Sequence, residues 1–203
     1  RKLPSDNSGT IMSRSGESFT EALSSLQDFS ADRQLYCSHG EYVLMGEDYA
    51  RESTENLFDF IARDNQLRLG IYLFVVKAGS AEELICGVGE DSYEVSKTLS
   101  SILRDTKTQG GSHVFTVRET LRCLSDHGAA LVCALRPYTR EESVFLLEPG
   151  VNPVAEGYGI LKGGSLVGFV PAEISQAANL LMGNMGSAGV SLSDGKGGKL
   201  SLE

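Results

Sequence analysis

Apolar and polar residues follow one another along the chain in blocks whose lengths predict strands alternating with helices. Residues 69–76 are almost entirely apolar and are rich in β-branched and aromatic types. A run this short and this apolar is typical of a strand buried on both faces, which requires helices above and below it. We therefore expect Phe74 to lie in the core of a sheet with helices on both sides.

Apolar residues at helical spacing predict helices at about 18–30, 53–63, 80–86, 91–105, 116–127 and 171–183. Four of these begin with a pair of residues that fits a capping box, in which the first side chain and a glutamate three residues later satisfy free N–H groups. The pairs are Ser18 with Glu21, Ser80 with Glu83, Asp91 with Glu94 and Thr116 with Glu119. For the last helix, the spacing predicts an inner face of Ile174, Ala177, Ala178 and Leu181.

Further strands are predicted at 42–45, 129–135 and 143–147, followed by a hairpin over 154–170. The hairpin turns at Gly163 and Gly164, because paired glycines supply the positive φ that such turns need. Short alternating segments at 189–193 and 199–202 end the chain. The pattern predicts an α/β fold with α+β character in its second half, a mixed sheet flanked by helices. We expect one domain over 1–188 and the start of a following, truncated segment at 189–203.

The composition and net charge of the chain argue against several classes of protein. With 41% hydrophobic and 22% charged residues the chain is typical of a soluble globular protein, and no apolar run approaches the roughly 20 residues of a membrane-spanning helix. The net charge of −9 argues against nucleic acid and against a polybasic contact with anionic lipid. The chain opens with neither Met nor a signal peptide, so we expect a mature or trimmed segment.

The motifs that could carry chemistry all have a simpler structural interpretation. The sequence at 87–89 lacks the third glycine of a dinucleotide loop, 194–198 lacks the spacing of a phosphate loop, and 186–189 misses the nucleophile elbow. His39, His113 and His127 lie at turns or a strand start, and Arg63 with Asp64 is interpreted as an ion pair at a helix end. We predict no catalytic, cofactor-binding or metal-binding residue and no enzyme activity; binding residues are not assigned.

The four cysteines show no metal-ligand spacing. Cys123 and Cys133 occupy apolar positions of a predicted helix and strand. We interpret Cys37, Cys86, Cys123 and Cys133 as free, buried thiols, with a disulfide as the open alternative.

The order of four segments resembles the Ger(x)C family, the C-subunit lipoproteins of nutrient germinant receptors in spore-forming bacteria. Residues 16–23 are similar to the family's Gly-x-Thr-x-x-Glu-Ala-Leu helix start, with Ser18 in the threonine place, and 43–50 to its hydrophobic-Gly-Glu-x-x-Ala turn. Residues 57–81 resemble its Leu-x-x-Phe-x-Arg-Asp segment with the following strand, and 159–168 its hairpin. The family's lipid-modified cysteine and first strand, expected upstream, and its downstream half are not in this chain. It therefore resembles the N-terminal domain, or part of it.

The resemblance implies a non-catalytic receptor subunit without a cofactor. Such a subunit is tethered by a lipid anchor to the outer face of the spore inner membrane. It assembles there with membrane-embedded germinant receptor subunits during nutrient-triggered germination. The alternative is a domain that binds a small-molecule nutrient in a crevice at the carboxyl ends of the strands, near Ala78–Ser80 and Pro137–Tyr138.

Overall fold

The computed structural model describes residues 11–29, 37–63, 67–88, 92–109, 112–138, 152–183, 190–193 and 199–202. In chain order the elements are α1 (Phe19–Phe29), a 3-10 helix (Cys37–His39), β1 (Tyr42–Gly46), α2 (Glu47–Glu52), α3 (Glu55–Arg63), β2 (Tyr72–Val76), α4 (Ala81–Val88), α5 (Ser92–Gln109), α6 (Val117–His127), β3 (Ala129–Tyr138), β4 (Asn152–Lys162), β5 (Ser165–Val170), α7 (Ala172–Met182), β6 (Val190–Ser193) and β7 (Lys199–Leu202). The expected α/β fold with a mixed sheet is confirmed. The strand predicted at 143–147 lies outside the described residues.

The five-stranded sheet has the order β1-β2-β3-β4-β5, in which β1, β2 and β3 are parallel and β4 and β5 are antiparallel to their neighbours. β2 pairs with β1 on one side and with β3 on the other, so the predicted inner position of this strand is confirmed. Residues Leu73 to Val76 are each 0% exposed. Because both faces of β2 are buried, every position from Leu73 to Val76 is apolar.

Helices cover both faces of this sheet and form two cores. On one face Leu73 and Val75 pack with apolar residues of α2, α3 and α6. On the other face Phe74 and Val76 pack with apolar residues of α4 and α5. The alternation of side chains along β2 divides its residues between the two cores, as the pleat of a strand requires.

Two of the predicted capping boxes are complete. Ser80 Oγ accepts from the N–H of Glu83 while the Glu83 carboxylate accepts from the N–H of Ser80, and Thr116 forms the same pair of bonds with Glu119. At α1 the bond from the Glu21 N–H to Ser18 is present, but the Glu21 carboxylate accepts from the N–H of Glu17 instead. The fourth pair, at Asp91, lies outside the described residues.

The sequence analysis missed one helix and predicted another too short. The sequence predicted a turn after β1, but the chain forms α2, because Glu47 and Asp48 favour a helix start and Ala50 fills the core at 0% exposure. The helix expected to end before residue 106 continues to Gln109 as α5. No glycine or proline interrupts it before Gly110, so nothing in the local sequence stops the helix earlier.

The predicted inner face of α7 was also wrong. Ile174 and Leu181 are 53% and 88% exposed, Ala177 is exposed, and only Ala178 is partly buried. The buried positions are instead Ser175 and Asn179, each 2% exposed. The physical reason is hydrogen bonding: Ser175 Oγ pairs with Ser112 Oγ at 3.3 Å, and Asn179 Oδ1 accepts from the hydroxyl of Tyr158 on β4.

The hairpin predicted about Gly163 and Gly164 is confirmed, and the two alternating segments near residue 200 form strands. β4 and β5 are joined by Gly163 and Gly164 alone, with φ of 57° and 78°, as a two-residue turn of this kind requires. β6 and β7 pair with each other as a separate two-stranded antiparallel sheet. The division into a domain over 1–188 and a further segment from 189 remains a prediction.

Candidate functional site

The carboxyl ends of β1, β2 and β3 lie at one edge of the sheet because these strands are parallel. In open α/β sheets this edge is where ligands are most often bound. It is also where the sequence placed a possible crevice, near Ala78–Ser80 and Pro137–Tyr138. The residues that follow β1 and β2 therefore decide whether the edge offers a binding site.

Glu47 links the end of β1 to the end of β2. Its carboxylate accepts a hydrogen bond from the backbone N–H of Ala78 at 2.9 Å. The same carboxylate forms an ion pair with Arg51 at 2.7 Å. Ala78 has a φ of 57°, the left-handed region that residues other than glycine rarely adopt. The bond from Ala78, more than the neighbouring Arg51, lowers the pKa of Glu47. Glu47 thus stabilises an unfavourable turn at the end of β2.

Glu156 on β4 joins the next two strands. It accepts a hydrogen bond from Lys77 Nζ at 2.9 Å, directly after β2, and another from Arg136 Nε on β3. The Lys77 bond and, after it, the Arg136 bond lower the pKa of Glu156. Lys77 Nζ also lies 5.6 Å from the centre of the Phe169 ring, within the range of a cation–π contact. We call Lys77, Arg136 and Glu156 the edge triad.

The edge triad ties strand ends together and leaves little room for a ligand. Its three side chains are 28–29% exposed, and both cations are engaged by the one carboxylate. At Gly79 an added methyl group would come within 3.6 Å of Pro137, so the two segments of the expected crevice already approach each other closely. The arrangement is that of a structural clamp, and it presents no nucleophile beside a general base.

Three open grooves, of about 420, 450 and 470 Å³, lie elsewhere on the described surface. The first lies between α1 and α3, beside the contact of Phe19 with Phe60, whose ring centres are 4.9 Å apart. The second follows the β1 edge beside α5 and includes His39 and Tyr42. The third lies between α3, α6 and the glycine turn at 163–164. None of the three includes Ala78–Ser80 or Pro137.

The histidines and cysteines singled out from the sequence are dispersed. His39 is in the 3-10 helix, His127 ends α6, and the ring of His113 meets the Phe115 ring edge-on at 4.7 Å. All four cysteines are free, but only Cys133 is buried, which corrects the expectation for the other three. Burial raises the pKa of the Cys133 thiol to about 12, so it stays protonated and unreactive. Within the described ranges, no group of three or more His, Cys, Asp and Glu could hold a metal ion.

Arg63 forms an ion pair within α3. Arg63 Nε lies 2.6 Å from Asp59, one turn earlier on the same helix. Asp64 is outside the described residues, so the pair of Arg63 with Asp64 stays a prediction. None of the described helices is both long and apolar enough to cross a bilayer.

Comparison with known protein families identifies the chain. A family model described as the spore germination protein N-terminal domain matches residues 2–137, which is 136 of the 203 residues. The chain belongs to this family. The match confirms the family resemblance stated from the sequence. No curated protein matches this spore germination domain at a significant level.

One solved structure resembles the spore germination domain throughout most of its length. The crystal structure of the GerBC protein matches with a TM-score of 0.55 at 20% sequence identity, covering 86% of this chain and 47% of that chain. At this identity the likeness shows the fold alone. The chain spans about half the length of GerBC.

The segments that carried the family resemblance have structural roles in this germination domain. At Gly16 an added Cβ would come within 2.5 Å of the Ala22 backbone nitrogen, and Ser18 caps α1. The Glu of the hydrophobic-Gly-Glu turn is Glu47, which holds the Ala78 turn. Sequence reasoning missed both this bond and the edge triad. The sequence did carry one indication of the triad, because Lys77 and Arg136 each come directly after a buried apolar run. Glu156 reaches them only because of how β4 is paired with β3, which the sequence does not show.

Replacing Glu156 by glutamine is expected to destabilise the domain at neutral pH by about 1 kcal/mol, because two partly exposed ion pairs are lost. The folded-state pKa of Glu156 lies below its ordinary value of 4.5. The carboxylate's contribution is therefore complete above pH 4.5 and disappears as the pH falls through the folded-state pKa. Urea unfolding of both proteins at several pH values should show the difference at pH 7 and its loss at low pH.

The exposed Glu173 on α7 provides a matched control. Glu173→Gln removes the same charge but no ion pair that the structure shows, so its unfolding free energy should stay within about 0.5 kcal/mol of the parent. If Glu156→Gln lowered the free energy of unfolding equally at pH 7 and at low pH, the edge triad would not be an electrostatic clamp.

Proposed function

We propose that the chain is the N-terminal domain of a non-catalytic subunit of a spore germinant receptor, and that its role is to contact partner subunits. The observation that carries the proposal is the family match over residues 2–137. The edge of the sheet where an α/β protein most often binds its ligand supports it, because the charged groups there are paired with one another. A domain built in this way serves as a rigid body that presents surfaces.

The proposal includes the location of the subunit. A lipid anchor on the full-length lipoprotein holds it at the outer face of the spore inner membrane, beside membrane-embedded receptor subunits. The net charge of −9 is compatible with attachment by a lipid, since it provides no polybasic surface for anionic headgroups. Germinant recognition is assigned to the membrane-embedded partners.

The direct test is co-purification from spore inner membranes in mild detergent. The full-length protein, carrying an affinity tag, is expected to bring down polytopic receptor subunits in a fixed ratio. Membranes from a strain that lacks those subunits give the background. Recovery of the tagged protein alone under conditions that keep other membrane complexes intact would contradict the assembly role.

The alternative function is nutrient binding. The observation that favours it is the presence of three grooves of 420–470 Å³ on the described surface. Their volumes fall in the range of small-molecule sites, although such sites usually enclose most of their ligand. A thermal-shift screen with amino acids, sugars and nucleosides separates the two functions. A ligand at 100 times its dissociation constant adds about 2.7 kcal/mol, which is readily measured. A saturable shift with one nutrient class would favour the alternative; no shift is expected.

A further inference from the structure

Two cations at the carboxyl end of the sheet lie beside one aromatic ring. Phe169 on β5 packs against the core that α2, α3 and α6 cover, and its side chain is partly exposed. Arg51 Cζ on α2 lies 5.9 Å from the centre of this ring, and Lys77 Nζ lies 5.6 Å from it. A ring attracts cations at these distances through its quadrupole. We call Arg51, Lys77 and Phe169 the ring cluster.

Carboxylates of the domain itself hold both cations in position. Glu47, one turn earlier on α2, accepts hydrogen bonds from Arg51 Nε at 2.9 Å and from Arg51 Nη2 at 2.7 Å. Glu156 on β4 accepts a hydrogen bond from Lys77 Nζ at 2.9 Å. Side chains that are already fixed lose less conformational entropy when they bind a further group. The two cations are therefore preorganised beside the Phe169 ring.

Both cations keep hydrogen-bond donors that these carboxylates do not use. A guanidinium carries five N–H groups, but Arg51 directs two of its nitrogens at the single oxygen Oε1 of Glu47, and its Nη1 has no partner among the described residues. An ammonium carries three N–H groups, and Lys77 gives one of them to Glu156, a carboxylate that it shares with Arg136. The Arg51 side chain is 45% exposed and the Lys77 side chain 29%. The remaining donors are thus open to a group from outside the domain.

The charge of these donors selects an anion, and the open surface around them selects a protein as its source. A guanidinium matches the two oxygens of a carboxylate, and charge-assisted hydrogen bonds are about twice as strong as neutral ones. Small-molecule sites enclose most of their ligand, but none of the three grooves includes Arg51, Lys77 or Phe169. Arginine and aromatic residues are also enriched at protein interfaces. A carboxylate on the surface of another protein therefore fits the ring cluster better than a free carboxylic acid does.

We propose that the ring cluster is a docking point for an acidic segment of a partner subunit, with an Asp or Glu carboxylate of that segment accepting hydrogen bonds from Arg51 and Lys77. Val154 supplies an apolar contact beside this point, because it is 44% exposed and lies opposite Arg136 in the pairing of β3 with β4. The inference rests on the proposed assembly role. It adds the surface and the chemistry through which the partner is bound.

Charge reversal of Arg51 tests the docking point by co-purification from spore inner membranes. In the tagged full-length protein, Arg51→Glu should lower the recovery of polytopic receptor subunits at least about tenfold, because removing one partner of a charge pair at an interface is costly. Arg122→Glu on α6 is the matched control, since the parent side chain is 82% exposed and also has a carboxylate four residues away, that of Asp126. This variant should recover the subunits as the parent does. Arg51→Gln removes the charge without repelling Glu47, so it should show the same loss with a cooperative unfolding transition even if Arg51→Glu folds poorly.

A photo-crosslinking amino acid at position 154 identifies the occupant. In spore membranes the cross-link should reach a receptor subunit, within a segment that carries Asp or Glu, and Arg51→Glu should abolish it. A cross-link to lipid, or flotation of the purified protein with phosphatidylglycerol vesicles that depends on Arg51, overturns the proposal, because the anion is then a headgroup. A saturable thermal shift with free glutamate or succinate that Arg51→Gln removes also overturns it.

The co-purification separates a failure of the docking point from a failure of the assembly role. If the parent protein and Arg51→Glu recover the receptor subunits equally, the docking point is wrong and the assembly role stands. If the parent protein recovers no receptor subunits, both are wrong.

Discussion

Replacing Phe74 by alanine is expected to lower the free energy of unfolding by about 3–5 kcal/mol, the usual cost of removing a fully buried aromatic side chain. Phe74 is 0% exposed on β2, a strand with a partner on each side, and it packs against α4 and α5. The surrounding sheet and helices cannot collapse into the space without breaking ladder hydrogen bonds. Chemical denaturation of the parent and the variant, followed by circular dichroism, measures the difference.

Phe19→Ala is the matched control, since it removes the same side chain from a different environment. Phe19 is 40% exposed on α1 and its main aromatic contact is the Phe60 ring at 4.9 Å. A partly exposed aromatic pair of this kind contributes about 0.5–1.5 kcal/mol. Comparable losses for Phe74→Ala and Phe19→Ala would mean that β2 does not form the centre of the core.

The contrast between β2 and α7 shows what the sequence can predict. A strand buried on both faces needs apolar residues at every position, so the run around Phe74 has one sensible interpretation. On α7 the apolar spacing of Ile174 and Leu181 correctly indicated a helix. It indicated the wrong buried side, because the spacing reveals an apolar face but not whether another body covers it. The hydrogen bond that decides the matter joins Asn179 to Tyr158, residues from different elements.

The edge triad could be predicted only in part, for a related reason. Lys77, Arg136 and Glu156 each look like an ordinary surface charge at the end or in the middle of a strand. Their meeting depends on the pairing of β3 with β4, and in particular on an irregularity in that pairing. Cys133 pairs with Tyr158 and Leu135 with Ala155, so two residues of β4, Glu156 and Gly157, stand opposite Ala134 alone. Local sequence patterns do not reveal such a bulge, although a glycine within a strand is compatible with one.

Gly157 makes this bulge possible, and Gly157→Ala is expected to destabilise the domain by about 2–5 kcal/mol. The residue has a φ of 78°, which costs about 1–2 kcal/mol for any residue with a Cβ. The added methyl group would also overlap the carbonyl oxygen of Val170, a backbone atom of β5 that no change of rotamer can move. Overpacking of this kind adds about 1–3 kcal/mol. Denaturant unfolding of the variant gives the total.

Gly163→Ala separates the two contributions. Gly163 also has a positive φ, 57°, but nothing lies within 4 Å of an added Cβ there, so only the backbone cost of about 1–2 kcal/mol should appear. The excess loss in Gly157→Ala then measures the collision with β5. Because the same bulge positions Glu156, Gly157→Ala should also lose the pH-dependent stability that Glu156→Gln removes. Equal losses for the two glycine variants would mean that β4 relaxes away from β5, and that the bulge does not hold Glu156 against Lys77 and Arg136.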